Sequence, residues 1–158
     1  MISDAVIDST GQYRYLLSRD WGLFGQSNLQ IAWIMLNPSI ADAHIDDPTI
    51  RRCKAFSELW GYGRLVVVNL YALRSPEPKK LLTHTDPLGP QNEEYIRMAV
   101  RESQLVVAAW GAFKLGVPQS IKPILRSNNL WCLGTTKYGH PKHPLYVKSS
   151  TQRETYTL

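Results

Sequence analysis

Four continuous apolar runs dominate the pattern of hydrophobic and polar positions along the chain. They span residues 31–36, 65–70, 105–110 and 130–133. The runs are short and mostly unbroken rather than alternating, which is typical of strands that are covered on both faces. A weaker alternation over residues 13–17 favours an additional antiparallel edge strand.

Segments with helical signals lie between these runs. Asp47 and Pro48 suit the N-cap and the first turn of a helix that continues through Leu59 and ends at Gly61. Residues 91–103 predict a second helix, and residues 117–127 a shorter third. Strands that alternate with helices imply parallel pairing with right-handed crossovers. We therefore expect an α/β fold, a three-layer α/β/α sandwich around a four-stranded parallel sheet.

Length and composition agree with a single domain over residues 1–158. The 44% hydrophobic and 20% charged residues exclude a disordered chain, and no apolar run approaches the roughly 20 residues that span a bilayer. The first ten residues lack the basic region of a signal peptide, and two cysteines cannot form a disulfide framework, so a monomeric cytoplasmic protein with reduced thiols is expected. The net charge of +5 suits a polyanionic partner without requiring one.

Polar residues follow each of the four runs. Ligands of open parallel sheets bind beyond the carboxyl ends of the strands, so these residues predict a site at one edge of the sheet. In chain order they include Asn37, Ser39, Asp46, Asp47, Asn69, Tyr71, Arg74, Trp110, Lys137, His140, Lys142 and His143.

Several of these residues also have a purely structural interpretation. Asn37 with Pro38 suits a turn, Asp46 and Asp47 suit a helix cap, and Trp110 suits the core. Asn69 stands in a run of valines, where a buried amide either bridges the backbone or binds a ligand. His140 and His143 resemble half of a metal site, but no third ligand has a matching spacing, so no metal or cofactor is expected.

Four short motifs resemble those of the DUF1643 family of bacterial and phage proteins. They are Leu-Asn-Pro-Ser at 36–39, Asp-Asp-Pro-Thr at 46–49, Trp-Gly-Tyr-Gly at 60–63 and Gly-x-Pro-x-His-Pro-Leu at 139–145. The Asn-Pro after the first run, the asparagine in the second run and the late His-Pro loop also resemble the uracil-DNA glycosylase superfamily. Together with the strand and helix alternation, this resemblance implies the strand order 2-1-3-4, with the four runs numbered along the chain.

The resemblance implies a monofunctional DNA glycosylase that extrudes a base into a pocket. Asn69 would then bind the base edge, Asn37 would position water, and His143 would donate a hydrogen bond to the departing base. Asp46 or Asp47 would act as the general base. Ser39, Tyr71 and Trp110 would line the base pocket. Leu145 would fill the gap in the base stack, and phosphate contacts are expected from Arg74, Lys137, His140, Lys142 and Lys148.

The chain departs from the best-known uracil enzymes at two positions. Asn37 stands where they have an aspartate, and Ser39 stands where an aromatic ring bars groups on C5 of the pyrimidine. A serine leaves space there, which favours a C5-modified base in double-stranded DNA, with glucosylated 5-hydroxymethylcytosine of phage DNA as the first candidate. Two other functions remain open: an enzyme acting on free modified nucleotides, and a non-catalytic reader of modified DNA.

Overall fold

The computed structural model describes residues 1–22 and 28–158, which form a central sheet flanked by helices. The strands are β1 (Ile2–Ile7), β2 (Arg14–Asp20), β3 (Gln30–Met35), β4 (Arg64–Asn69), β5 (Leu105–Ala108), β6 (Leu130–Cys132) and β7 (Glu154–Tyr156). The α-helices are α1 (Pro48–Leu59), α2 (Asn92–Glu102) and α3 (Lys122–Arg126), and the 3₁₀ helices are Pro78–Leu82 and Pro144–Tyr146.

The prediction of a four-stranded, all-parallel sheet in the order 2-1-3-4 is wrong, because the four predicted strands form only the inner part of a larger sheet. The sheet has seven strands in the order β1-β2-β4-β3-β5-β6-β7, and it is mixed. β3 pairs in parallel with β4 and β5, and β5 with β6. The pairs β1–β2, β2–β4 and β6–β7 are antiparallel.

The strands that the sequence pattern missed lie at the two margins of the sheet. β1 contains exposed positions and β7 has only three residues, so neither produces an apolar run. β1 pairs along β2, which is therefore an inner strand and not the expected edge strand. Polar, partly exposed margins are a common way to protect sheet edges from pairing with other chains.

Helices cover both faces of the sheet and explain why the inner strands are apolar without alternation. Ile50 and Phe56 of α1 pack with Trp33 on one face. Ile96 of α2 and Ile124 of α3 pack with residues that include Ile34 on the other face. Successive residues of β3 thus enter different cores, and truncating one of these fully buried chains is expected to cost about 2–5 kcal/mol of stability.

The start of α1 follows the prediction from sequence. Asp47 is the N-cap, its Oδ1 accepts a hydrogen bond from Ile50 N at 2.9 Å, and Pro48 occupies the first turn. The helix ends at Leu59, and Gly61 follows with a φ of 83°, a value that glycine adopts without strain. The cap places the Asp47 carboxylate at the edge of the sheet where the parallel strands end.

Within the described ranges, no helix is both long and apolar enough to cross a membrane. Cys53 and Cys132 are buried and do not form a disulfide.

Candidate functional site

A cavity of about 480 Å³ lies at the carboxyl edge of the parallel strands. Met35 and Asn69, the last residues of β3 and β4, line it, and so does Trp110 just after β5. The first turn of α1 forms a further part of the wall. The volume is within the range of small-molecule sites, about 300–1,000 Å³. The cavity brings together seven of the predicted site residues: Asn37, Ser39, Asp47, Asn69, Trp110, Lys142 and His143.

Asn69 ends a strand of buried valines, and its side chain is the least compensated polar group of the cavity. The residue is 1% exposed. Neither Oδ1 nor Nδ2 has a hydrogen-bond partner among the described residues. A buried amide without partners costs about 1–3 kcal/mol. The alternative in which Asn69 bridges the backbone is therefore not observed, and both polar atoms of the amide can bind a group that enters the cavity.

Asn37 follows β3 and has a different environment. Its Nδ2 donates to Ser75 O at 2.9 Å, to Pro38 O at 3.2 Å and to Leu73 O at 3.4 Å. These carbonyls hold the amide against the loop that follows β4. Because the donors of the amide are used in this way, Oδ1 is the atom left to accept a hydrogen bond from water or substrate.

His143 lies on the loop between β6 and β7 and precedes the 3₁₀ helix Pro144–Tyr146. Its Nδ1 accepts a hydrogen bond from Leu145 N at 3.2 Å. In the neutral ring the proton is therefore assigned to Nε2, which becomes the available donor. Burial lowers the pKa of His143, and attraction to Asp47 only partly offsets this effect. The neutral, donating form is thus the form that the cavity favours.

Backbone hydrogen bonds fix the position of the His143 loop. Thr136 N donates to His140 O at 2.8 Å, and Lys142 N donates to Gly134 O at 3.0 Å. Gly111 N, just after β5, donates to Pro141 O at 2.9 Å and ties the loop to the end of that strand. The loop is therefore held in a defined conformation beside the cavity.

The two candidate general bases are separated by the fold. Asp47 is the acidic residue among the described residues that line the cavity. Asp46 lies outside this lining, and its Oδ1 pairs with Arg19 at 2.8 Å. Of the two, Asp47 alone is placed where a carboxylate can accept a proton in the cavity.

The other predicted residues lie outside the cavity lining. Tyr71 is buried in the core, its OH donates to Gly116 O at 2.7 Å, and burial raises its pKa to about 12. Arg74 is half-buried and donates from Nη1 to Gly11 O at 3.3 Å. The remaining predicted DNA contacts lie on the segment that carries His143: Lys137, Leu145 and Lys148 are exposed, and His140 is half-buried.

Sequence reasoning missed two arginines that the fold brings to the site. Arg14 of β2 is 2% exposed and lines the cavity. Its position between two tyrosines in the alternating segment 13–17 could have identified it, because an arginine on such a strand is either exposed to solvent or paired with a polar group. Phe113 and Tyr146 also line the cavity and were not predicted.

Arg52 is the second arginine that was not among the predicted site residues, and it clamps the His143 loop. Its Nε donates to Pro144 O at 3.2 Å, and its Nη2 donates to Val147 O. The guanidinium thus joins α1, which carries Asp47 at its start, to the 3₁₀ helix that follows His143. No local pattern announces this contact, because its partners lie more than 90 residues away along the chain.

The described residues contain no group of three or more His, Cys, Asp or Glu side chains that could hold a metal ion. The cavity instead combines amide, imidazole, carboxylate and guanidinium groups with the aromatic rings of Trp110, Phe113 and Tyr146. These are groups that bind a planar, polar ligand through hydrogen bonds and stacking.

The fold and the cavity define a mixed α/β protein with a polar, aromatic-lined pocket at the carboxyl edge of its parallel strands. The chain belongs to the DUF1643 family, described as a protein family of unknown function, whose family model matches residues 14–145. This range includes every described cavity residue except Tyr146. No curated protein and no solved structure matched the chain.

Proposed function

We propose that this protein is a monofunctional DNA glycosylase that hydrolyses the N-glycosidic bond of a flipped pyrimidine. The observation that carries the proposal is the unpaired, buried amide of Asn69 in an aromatic-lined cavity. An amide offers donors and an acceptor side by side, which is what the Watson–Crick edge of a pyrimidine requires. Stacking on an aromatic wall would stabilise the base outside the duplex.

The cavity residues support a water-dependent reaction. Water held by Asn37 Oδ1 would attack C1′ and lose its proton to Asp47. The C1′–N1 bond would break with its electron pair on the base, and His143 Nε2–H would stabilise the charge that develops on the pyrimidine O2. Interactions that strengthen as charge develops lower the barrier rather than merely improve binding. The products are a free base and an abasic site.

DNA binding is supported by the charge and shape of the cavity mouth. Lys142 and Tyr146 are exposed and also line the cavity. Leu145, which is 45% exposed, lies between them in the chain. Phosphates would bind Lys142 and its basic neighbours Lys137 and Lys148. Leu145 would enter the stack when the base leaves it.

The substrate proposed is a C5-modified cytosine. Ser39 lines the cavity with a small side chain where a ring would restrict space. Glucosylated 5-hydroxymethylcytosine of phage DNA is the candidate, and removal of this base would be a defence against the phage. The Ser39→Tyr variant should lose activity on this base, because the hydroxyphenyl group would fill the space that the C5 substituent needs.

A second candidate function is hydrolysis of free modified nucleotides. The buried guanidinium of Arg14 favours it, since a nucleotide bound as a whole would bring its phosphate into the cavity. Turnover of a modified nucleoside monophosphate with no abasic sites in DNA would identify this function.

The decisive experiment incubates the protein with unmodified DNA and with DNA containing hydroxymethylated or glucosylated cytosine, then cleaves abasic sites with alkali. We expect breaks in modified DNA with the wild type and few with Asn69→Ala, whereas the exposed Asn129→Ala control should match the wild type. Borohydride should trap no covalent complex, in agreement with a monofunctional enzyme. Tight binding of modified DNA without any breaks would overturn the enzymatic proposal and identify a reader.

A further inference from the structure

Two arginines on β2 are buried to the same degree but are compensated differently. Arg19 is 1% exposed, and its guanidinium pairs with Asp46 at 2.8 Å and donates to backbone carbonyls, including Ser18 O at 2.8 Å. Arg14 is 2% exposed and makes no ion pair within 4.0 Å with any carboxylate of the described chain. A buried cation is normally paired, so Arg14 is the exception to explain.

Arg14 also has few hydrogen-bond partners within the described chain. Nη1 donates to Ala41 O at 2.9 Å, and Nε is buried without a partner among the described residues. A guanidinium has five N–H donors arranged to bind two oxygens of one anion. Arg14 lines the cavity, so a ligand there can reach the side chain.

The charges around Arg14 do not neutralise it. Burial lowers its pKa to about 10, and attraction to Asp47 offsets this only in part, while Arg74 and Arg19 act in the same direction as burial. The side chain therefore stays charged at neutral pH. The one acidic residue in the described cavity lining, Asp47, already caps α1 through Ile50 N.

We propose that Arg14 forms an oxyanion subsite inside the cavity, where its guanidinium binds a phosphate or carboxylate group of the ligand. Two sources share this chemistry: the phosphate of the bound nucleotide and an acidic substituent on the base. These two sources rest on the proposed function, in which the cavity binds a nucleotide. The presence of an oxyanion site does not depend on bond cleavage.

The first experiment uses inorganic phosphate as the probe, with chloride at equal ionic strength as the reference. In the wild type, phosphate should shift the NMR signal of the Arg14 Nε–H and raise Tm. The Tm response should disappear in Arg14→Gln and persist in the control Arg64→Gln. Arg64 also has a buried Nε without a partner among the described residues, but it lies at the other end of the strands and outside the cavity. An unmoved Arg14 signal in the wild type overturns the proposal even if Arg14→Gln folds poorly.

The second experiment identifies the source of the anion. Binding of deoxycytidine monophosphate and of 5-carboxydeoxycytidine is compared with binding of deoxycytidine. The preferred anion should bind the wild type about tenfold more tightly than deoxycytidine, the equivalent of one charged hydrogen bond. Arg14→Gln should reduce this ratio to about one, and Arg14→Lys should restore part of it. Equal binding of all three compounds by the wild type overturns the subsite.

Excision assays on the same variants separate the two proposals. If anions bind in a way that depends on Arg14 but no DNA acquires abasic sites, the subsite proposal stands and the glycosylase proposal is wrong. If Arg14→Gln excises every modified base at the wild-type rate and phosphate has no effect on the wild type, the subsite proposal is wrong and the glycosylase proposal stands.

Discussion

The ends of β3 and β4 carry two asparagines that differ in how their amides are used. Asn37, after β3, donates to carbonyls that include Ser75 O at 2.9 Å. Asn69, at the end of β4, pairs in the sheet register with Met35, two residues before Asn37, and has no partner for either polar atom within the described chain.

The contrast shows how neighbouring residues of one chemical type can divide stability and function between them. Asn37 stabilises the loop that forms part of the cavity wall. The buried amide of Asn69, without a partner in the described chain, lowers stability, and natural proteins keep such groups where binding or catalysis needs them. The following predictions test this difference between Asn37 and Asn69.

Replacing Asn69 with alanine should have the largest effect on activity. Two lost hydrogen bonds to the base edge, at about 1–3 kcal/mol each, correspond to roughly 30-fold to 10⁴-fold slower single-turnover excision. Asn69→Asp should instead change the preferred base, because a carboxylate has no donors. If both variants keep wild-type kinetics with saturating enzyme, the amide does not bind the base.

Replacing Asn37 with alanine should have the larger effect on stability. Three carbonyl groups lose their donor, and we expect the free energy of unfolding in urea to fall by about 1–3 kcal/mol. Asn129→Ala, at an exposed position, should stay within about 0.5 kcal/mol of the wild type. An unchanged midpoint for Asn37→Ala would show that the amide does not hold the loop.

Replacing Asn69 with leucine should stabilise the protein while abolishing excision. The change removes an unpaired buried amide and keeps the volume similar, so a gain of about 1 kcal/mol in the free energy of unfolding is expected. The same urea titration measures it. A loss of stability would mean that the amide already has partners in solution.

The pH dependence of stability should show a smaller effect at His143, which lines the same cavity. Burial lowers the pKa of the folded His143 below its value of about 6.5 in the unfolded chain. The unfolded chain then binds more protons between the two pKa values, so this contribution is present above pH 6.5 and is lost as the pH falls through the folded pKa. His143→Asn should remove this part of the slope, and His44→Asn serves as the exposed control. A slope unchanged in His143→Asn would contradict a desolvated cavity.

Local signals in the sequence were sufficient to predict the inner strands, the cap of α1 and much of the cavity wall. Asp47 with Pro48 identifies the start of a helix, because the capping hydrogen bond joins residues that are only three positions apart in the chain. The continuous runs identify buried strands because both faces are covered. These features depend on neighbours in the chain, which a sequence displays directly.

Features that depend on distant partners were missed. β1 is partly exposed and β7 has only three residues, so these two antiparallel strands at the margins of the sheet left no apolar run to find. The role of Arg52 depends on carbonyls of Pro144 and Val147, and the unpaired state of Arg14 depends on where Asp46 and Asp47 are placed by the loop after β3.

The clamp formed by Arg52 has a consequence for how this protein can diversify. Because Arg52 binds backbone carbonyls on either side of Leu145 and Tyr146, these two side chains can be exchanged without removing the clamp. Selection for new ligands can therefore act on the exposed tip of the loop while α1, Asp47 and His143 keep their relative positions. Among homologues, we expect variation at 146 to exceed variation at 52.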